Sequence, residues 1–120
     1  MAVAVIAASD PYISDFWTDK STYAPGDEIK IYYKVYNPGP ARYLGLGATI
    51  YKPSGGYYND ENDDTNKYFS GYTTTTKYRY FDIPSNAPTG WYDLATGIHN
   101  VAGSSGSFNG MLDFEKDYDV

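Results

Sequence analysis

The stretch from Tyr23 to Gly39 constrains the fold more than any other. Between a turn at Pro25-Gly26 and the closing Asn37-Pro38-Gly39, Ile29, Ile31, Tyr33 and Val35 alternate with Lys30, Tyr32, Lys34 and Tyr36. Apolar alternation of period two buries one face and wets the other, which defines a strand of an antiparallel sheet. The β-branched and aromatic residues suit a pleated, half-buried surface. The segment is expected to be the central strand of a β-sandwich.

The flanking chain repeats the pattern. Tyr12 to Asp19 carries Ile13, Phe16 and Trp17 and ends in a polar turn. In Arg42 to Lys52, Leu44, Leu46, Ala48 and Ile50 face inward, while Tyr43, Gly45, Gly47, Thr49 and Tyr51 face outward. Glycines on that outer side leave room for another backbone or a flat ring. Residues 57–67 read as a polar excursion too charged for a sheet, and Tyr68 to Ile83 as one long Tyr- and Thr-rich strand whose register is weakly fixed. Its Lys77 and Arg79 are expected to face outward. Trp91 to His99, with Tyr92, Leu94, Thr96 and Ile98 inward, and Met111 to Val120 complete the set.

About seven antiparallel strands at roughly ten-residue spacing, with Pro/Gly turns and no helical period, predict an all-β, immunoglobulin-like Greek-key sandwich. An extra N-terminal strand is added by the uncharged run from Ala2 to Ala8. The expected organisation is residues 1–11 as an apolar strand and connector, and 12–120 as the sandwich. Tyr92, just after Pro88-Thr89-Gly90, stands where such folds place a corner tyrosine whose hydroxyl ties the preceding loop.

Three segments carry a family likeness: Tyr23-Ala24-Pro25-Gly26-Asp27 before the strand ending in Asn37-Pro38-Gly39, then Tyr51-Lys52-Pro53-Ser54-Gly55, then Ile83-Pro84 leading to Ala87-Pro88-Thr89-Gly90-Trp91-Tyr92. Over residues 12–100 this resembles the immunoglobulin-like modules of prokaryotic surface proteins, including cell-adhesion-related and macroglobulin-type domains. The resemblance implies a fold and an extracellular setting, and carries no catalytic residue.

Composition narrows the chemistry. At 120 residues the chain is one domain. Without cysteine it has no disulfide, thiol catalysis or cysteine-based metal site. A net charge of -6 argues against nucleic acid and anionic lipid as partners. The eight-residue apolar start is too short to span a bilayer. The single histidine, His99, has no nucleophile placed beside it by spacing, so the chain is expected not to be an enzyme. Asp60, Asn62 and Asp64 repeat the first three ligand positions of a calcium loop, but Thr65 and Gly71 stand where its glycine and glutamate belong. A loose Ca2+ site and a plain solvated loop both fit, and no other cofactor is expected.

Two partners remain. Glycans would stack on Trp17, Trp91, Tyr57, Tyr58 and Tyr68 beside the bare Gly45 and Gly47. Alternatively the chain partners copies of itself. Val3, Val5 and Ile6 would then join a neighbour's sheet edge, building a head-to-tail surface filament by strand donation. Lys30 and Lys34 on one strand would meet Asp113, Glu115, Asp117 and Asp119 on another, with Tyr32, Tyr36, Tyr43 and Tyr51 as interface residues. The filament subunit is the first expectation, and a monomeric carbohydrate-binding or adhesion module is the alternative.

Overall fold

The computed structural model describes residues 10–99 and, for its backbone alone, the strand 115–119. The apolar opening with Val3, Val5 and Ile6 lies outside the described residues, as do Asp113 and the side chains of Glu115, Asp117 and Asp119.

Eight strands are described: β1 (Tyr12–Thr18), β2 (Glu28–Asn37), β3 (Arg42–Tyr51), β4 (Tyr57–Asn59), β5 (Thr65–Phe69), β6 (Thr73–Asp82), β7 (Trp91–His99) and β8 (Glu115–Asp119). They form two antiparallel sheets. One runs β1-β2-β6; the other runs β4-β3-β7-β8, with β5 also paired to β3. The central alternation holds as expected: Ile29, Ile31, Tyr33 and Val35 are buried against Leu44, Leu46 and Ile50 of β3 and Leu94 and Ile98 of β7. Ile13 and Phe16 also enter this core although they stand three residues apart. A bulge between Ile13 and Asp15 absorbs the extra residue and sends Trp17 to the opposite face. At the start of β7, the Tyr92 hydroxyl donates to the Pro88 carbonyl at 2.5 Å, tying the loop as anticipated.

Residues 57–83 depart from expectation in three ways. The polar excursion is confined to residues 60–64, because β4 and β5 on either side of it both pair with β3. The Tyr- and Thr-rich segment is two strands in different sheets, joined by a turn in which Tyr72 has φ 58° and its amide donates to the Gly39 carbonyl. Buried Asn37 holds this end together, its amide nitrogen donating to the Pro40 and Ser70 carbonyls.

Third, Arg79 points inward and its side chain is fully buried. The register explains why: Arg79 lies opposite Ile31 and Phe81 opposite Ile29, on the core face of β6. Its guanidinium donates to the Leu46 carbonyl at 3.1 Å, the Asp60 carbonyl at 2.8 Å, the Tyr80 carbonyl at 2.9 Å and the Asp64 carboxylate at 2.8 Å. Lys77, two residues earlier on the same inner row, is half-buried beside Tyr33.

Removing one partner of a buried pair leaves the other charge and several carbonyls unsatisfied, a loss of roughly 3–5 kcal/mol. Arg79→Ala is therefore expected to lower stability by about that amount in urea denaturation. Arg79→Lys should recover only a minor part, because an ammonium cannot reproduce the planar fork. A loss below about 1 kcal/mol for Arg79→Ala would show that the guanidinium does not hold the two sheets together.

Candidate functional site

The outer face of the β1-β2-β6 sheet gathers aromatic rings. Because inner and outer residues alternate, burying Ile31, Tyr33 and Arg79 turns Tyr32, Tyr78 and Tyr80 outward. Trp17 pairs with Tyr32, and Tyr32 with Tyr78, so one row crosses all three strands. The Trp17 and Tyr32 rings stack with centroids 5.5 Å apart and planes 12° from parallel. Tyr78 follows at 6.2 Å from Tyr32, and Tyr80 packs edge-on to Tyr78 at 5.6 Å. Two steps further along the sheet, past Lys34, Tyr12 and Tyr36 form a second pair at 5.6 Å. Trp17 remains 36 % exposed and Tyr12 45 %. Large rings left in water along one sheet face make it a candidate interaction surface.

Cations attend this row. The Lys30 ammonium stands 4.2 Å from the Tyr78 centroid and 5.1 Å from that of Tyr32. Lys67 reaches over from β5 in the other sheet to 5.1 Å from Tyr78. Lys34 projects on the far side of Tyr32, opposite Asp15.

The residues singled out from sequence divide between two faces. Trp17, Tyr32, Tyr36, Lys30 and Lys34 share the face just described. Tyr43, Tyr51, Tyr57, Tyr68 and Trp91 lie on the outside of the other sheet, where Tyr43 packs on Tyr68 and Tyr51 on Tyr57. Tyr58 packs against the core. The expected glycan set Trp17, Trp91, Tyr57 and Tyr58 therefore does not form one platform. Beside Gly45 the floor is also filled: a Cβ at Gly47 would come 2.7 Å from His99 Nε2, so glycine there lets the imidazole lie across β3. Tyr78, Tyr80 and Lys67 were missed as site residues. The alternation of Tyr78 and Tyr80 with Arg79 and Phe81 carried the signal, but it required Arg79 to be inside.

The acidic loop has a different organisation from a calcium loop. Asp64 is bound to Arg79, and the Asp60 carboxylate accepts from the Asp82 amide at 2.7 Å. Instead Glu28, Asp63 and Asp82 converge, one oxygen of each within 4.8 Å of the others, an arrangement of the kind that holds a hard cation such as Ca2+. Glu28 and Asp82 are directly opposite on β2 and β6, a repulsive cross-strand pair.

Asp63 shares a hydrogen bond with Asp60, and that bond, then burial and the charges of Asp60 and Asp82, raise the Asp63 carboxyl to about 7. Its Oδ2 is buried without a partner, which also favours the neutral acid. Asp60 moves the other way: burial opposes its charge, but the bonds from Asp63 and the Asp82 amide and the nearby Arg79 hold it below the usual carboxylate range.

No protein-family model matches the chain, and no curated protein matches it in sequence. Its fold is similar to part of an alkylpurine DNA glycosylase from Pseudomonas fluorescens, bound to DNA containing an abasic site analogue, with a TM-score of 0.59 and 10 % identity over 92 % of this chain and 30 % of that one. It is also similar to part of a family 123 glycoside hydrolase from Clostridium perfringens, with a TM-score of 0.50 and 14 % identity over 82 % of this chain and 22 % of that one. The sporulation control protein Spo0M from Bacillus subtilis gives 0.48 and 14 %, over 92 % and 47 %. The chain thus spans less than half of each protein, and for the first two, at these identities, the likeness is one of fold alone. No helix among the described residues is long and apolar enough to cross a membrane.

The raised carboxyl has a sign that can be tested. Native Asp63 keeps a proton up to about 7, whereas an unfolded aspartate releases it near 3.8, so its contribution favours folding at acid pH and is lost as pH rises through about 7. Asp63→Asn should flatten the decline in melting temperature between about pH 4 and pH 7. Parallel melting curves for the two proteins over that range would contradict the shared proton.

Proposed function

We propose that this chain is a non-enzymatic, extracellular, immunoglobulin-like module that binds carbohydrate on the outer face of its β1-β2-β6 sheet. The carrying observation is the row Trp17–Tyr32–Tyr78, which offers the open side of the Trp17 indole beside phenolic hydroxyl tips. Sugar rings present flat C–H faces rimmed by hydroxyls, and such a surface complements both. The immunoglobulin-like assignment is supported by the strand order, in which β1, β2 and β6 oppose β3, β7 and β8 as strands A, B and E oppose C, F and G in that fold, and by the Tyr92 corner. The binding role is favoured over catalysis because the Asp60 carboxylate accepts from the Asp82 amide of β6 and the Asp64 carboxylate is bound to Arg79, so both acids are held by the protein's own groups. The likeness to a DNA glycosylase does not extend to DNA binding here: the net charge of -6 opposes a polyphosphate.

Depletion of the protein from solution by a panel of insoluble polysaccharides, followed by titration with soluble fragments of whichever binds, tests this reading. Trp17→Ala should weaken binding at least tenfold, a loss of about 1.4 kcal/mol. Trp91→Ala, on the opposite sheet, should leave it unchanged. Loss on Trp91→Ala with retention on Trp17→Ala would overturn the assignment of the face.

One observation favours a second role, as a filament subunit. Among the described residues β1 and β6 are the edges of their sheet, and an edge strand accepts a further strand through its backbone. Residues 1–8 of another copy, with Val3, Val5 and Ile6, would supply it. Light scattering should then show assemblies that dissociate to monomers when residues 1–8 are removed; assemblies of unchanged mass would exclude strand donation.

A further inference from the structure

The rings of the outer face are distinctive in how their own faces are used. Trp17 and Tyr32 stack on each other, and Lys30 and Lys67 both stand over Tyr78. What the centre of this row offers a ligand is therefore ammonium groups and phenolic hydroxyls, with the open side of Trp17 at one end. Lys30 and Lys67 meet over Tyr78, and Lys34 stands on the same sheet face, although acids outnumber bases by 15 to 9 in the chain. Lys30 and Lys34 flank Tyr32 along β2, and Lys67 closes the row from the rim of the other sheet. The hydrogen bond to Tyr32 raises Lys30 above its usual value, so it stays charged throughout the neutral range.

The acids around the face give it direction. Asp15 stands opposite Lys34, and the Glu28–Asp82 pair lies one step beyond Lys30. An anionic chain is repelled from the Glu28–Asp82 end and held between Lys30 and Lys34. That path crosses the strands along the aromatic row, about 10 Å from β1 to β6, the span of a disaccharide.

We propose that the polysaccharide bound by this face is an acidic one, a chain of carboxylate-bearing sugars whose carboxylates engage Lys30, Lys34 and Lys67 while a ring packs on Trp17. The proposal rests on the carbohydrate reading above and specifies its ligand class. Ammonium–carboxylate contacts at an exposed face are individually weak and are screened by salt. Specificity therefore comes from three of them acting with the ring contact.

The test compares polygalacturonate with the same polymer after methyl esterification, which removes the charge and keeps the sugar backbone. Binding to polygalacturonate should exceed binding to the ester at least tenfold, and fall steeply as salt is raised from about 0.05 to 0.5 M. Lys30→Gln/Lys67→Gln should lose that preference, and Lys30→Arg should retain it. Circular dichroism and melting of each variant verify that the sheet is intact. Equal binding of acid and ester, or Trp17-dependent binding to neutral polysaccharides alone, would overturn the acidic ligand and leave the carbohydrate reading standing. Binding to no polysaccharide would overturn both.

Discussion

The buried guanidinium of Arg79 is the interaction on which the arrangement depends. Strands β4 and β5 pair with residues 49–51 and 42–46 of β3, leaving Gly47 and Ala48 opposite the five-residue excursion 60–64. A gap of that kind exposes backbone carbonyls that no ladder satisfies. The Leu46 carbonyl is taken by Arg79 and the Gly47 carbonyl by the Tyr33 hydroxyl, and both side chains come from the opposite sheet. The two layers are thus joined by directional bonds as well as by apolar contact. Placing a charge in the interior is costly unless every donor is used; here the fork also holds the Asp60 carbonyl and the Asp64 carboxylate, which anchors the excursion that created the gap.

The same residue determines what the outside looks like. A strand alternates strictly, so Arg79 inside means Tyr78 and Tyr80 outside, and a slip of one residue would exchange them. In a segment of threonines and tyrosines the choice is otherwise weakly specified, because both rows are amphipathic. Arg79 and Phe81 lock it: one has four acceptors in the interior, and the other lies opposite Ile29. The ring of Tyr78 is thereby brought beside Tyr32 and under Lys30. The aromatic face is a consequence of a core contact on the reverse side of the same strand.

How much of this was legible follows from where the pattern was unambiguous. The inward rows of β2, β3 and β7 were readable because Ile, Leu and Val alternate with polar residues, and the Tyr92 corner because a turn precedes it. The region 57–83 was not, for a physical reason. Charge argues against a sheet, yet Thr65–Phe69 tolerates Lys67 because its long stem can leave the inner row and lay the ammonium over Tyr78 at the rim. The general rule that charges are solvated places Arg79 outward, and that rule yields where carbonyls lack partners. For the site, Trp17, Tyr32, Lys30 and Lys34 were identified from sequence, but grouping them needed the pairing of β1, β2 and β6. The bulge at Ser14 was legible only in hindsight, from two core residues three apart.

Exposed tyrosines alone do not make a binding surface, since cross-strand pairs stabilise a sheet by about 0.2–1 kcal/mol each. On the β4-β3-β7-β8 face the pairs Tyr43–Tyr68 and Tyr51–Tyr57 do this, one towards each end of β3, with His99 lying over Gly47 between them. The β1-β2-β6 face differs in continuity and in charge. Its row spans every strand of its sheet, it ends in a tryptophan at the edge strand, and two lysines converge on one ring from separate sheets. A ladder needed only for pairing would be served as well by threonine or valine at position 17, which the bulge directs to solvent. An indole there adds apolar area that the sandwich itself leaves 36 % exposed, at the end of a row that crosses all three strands.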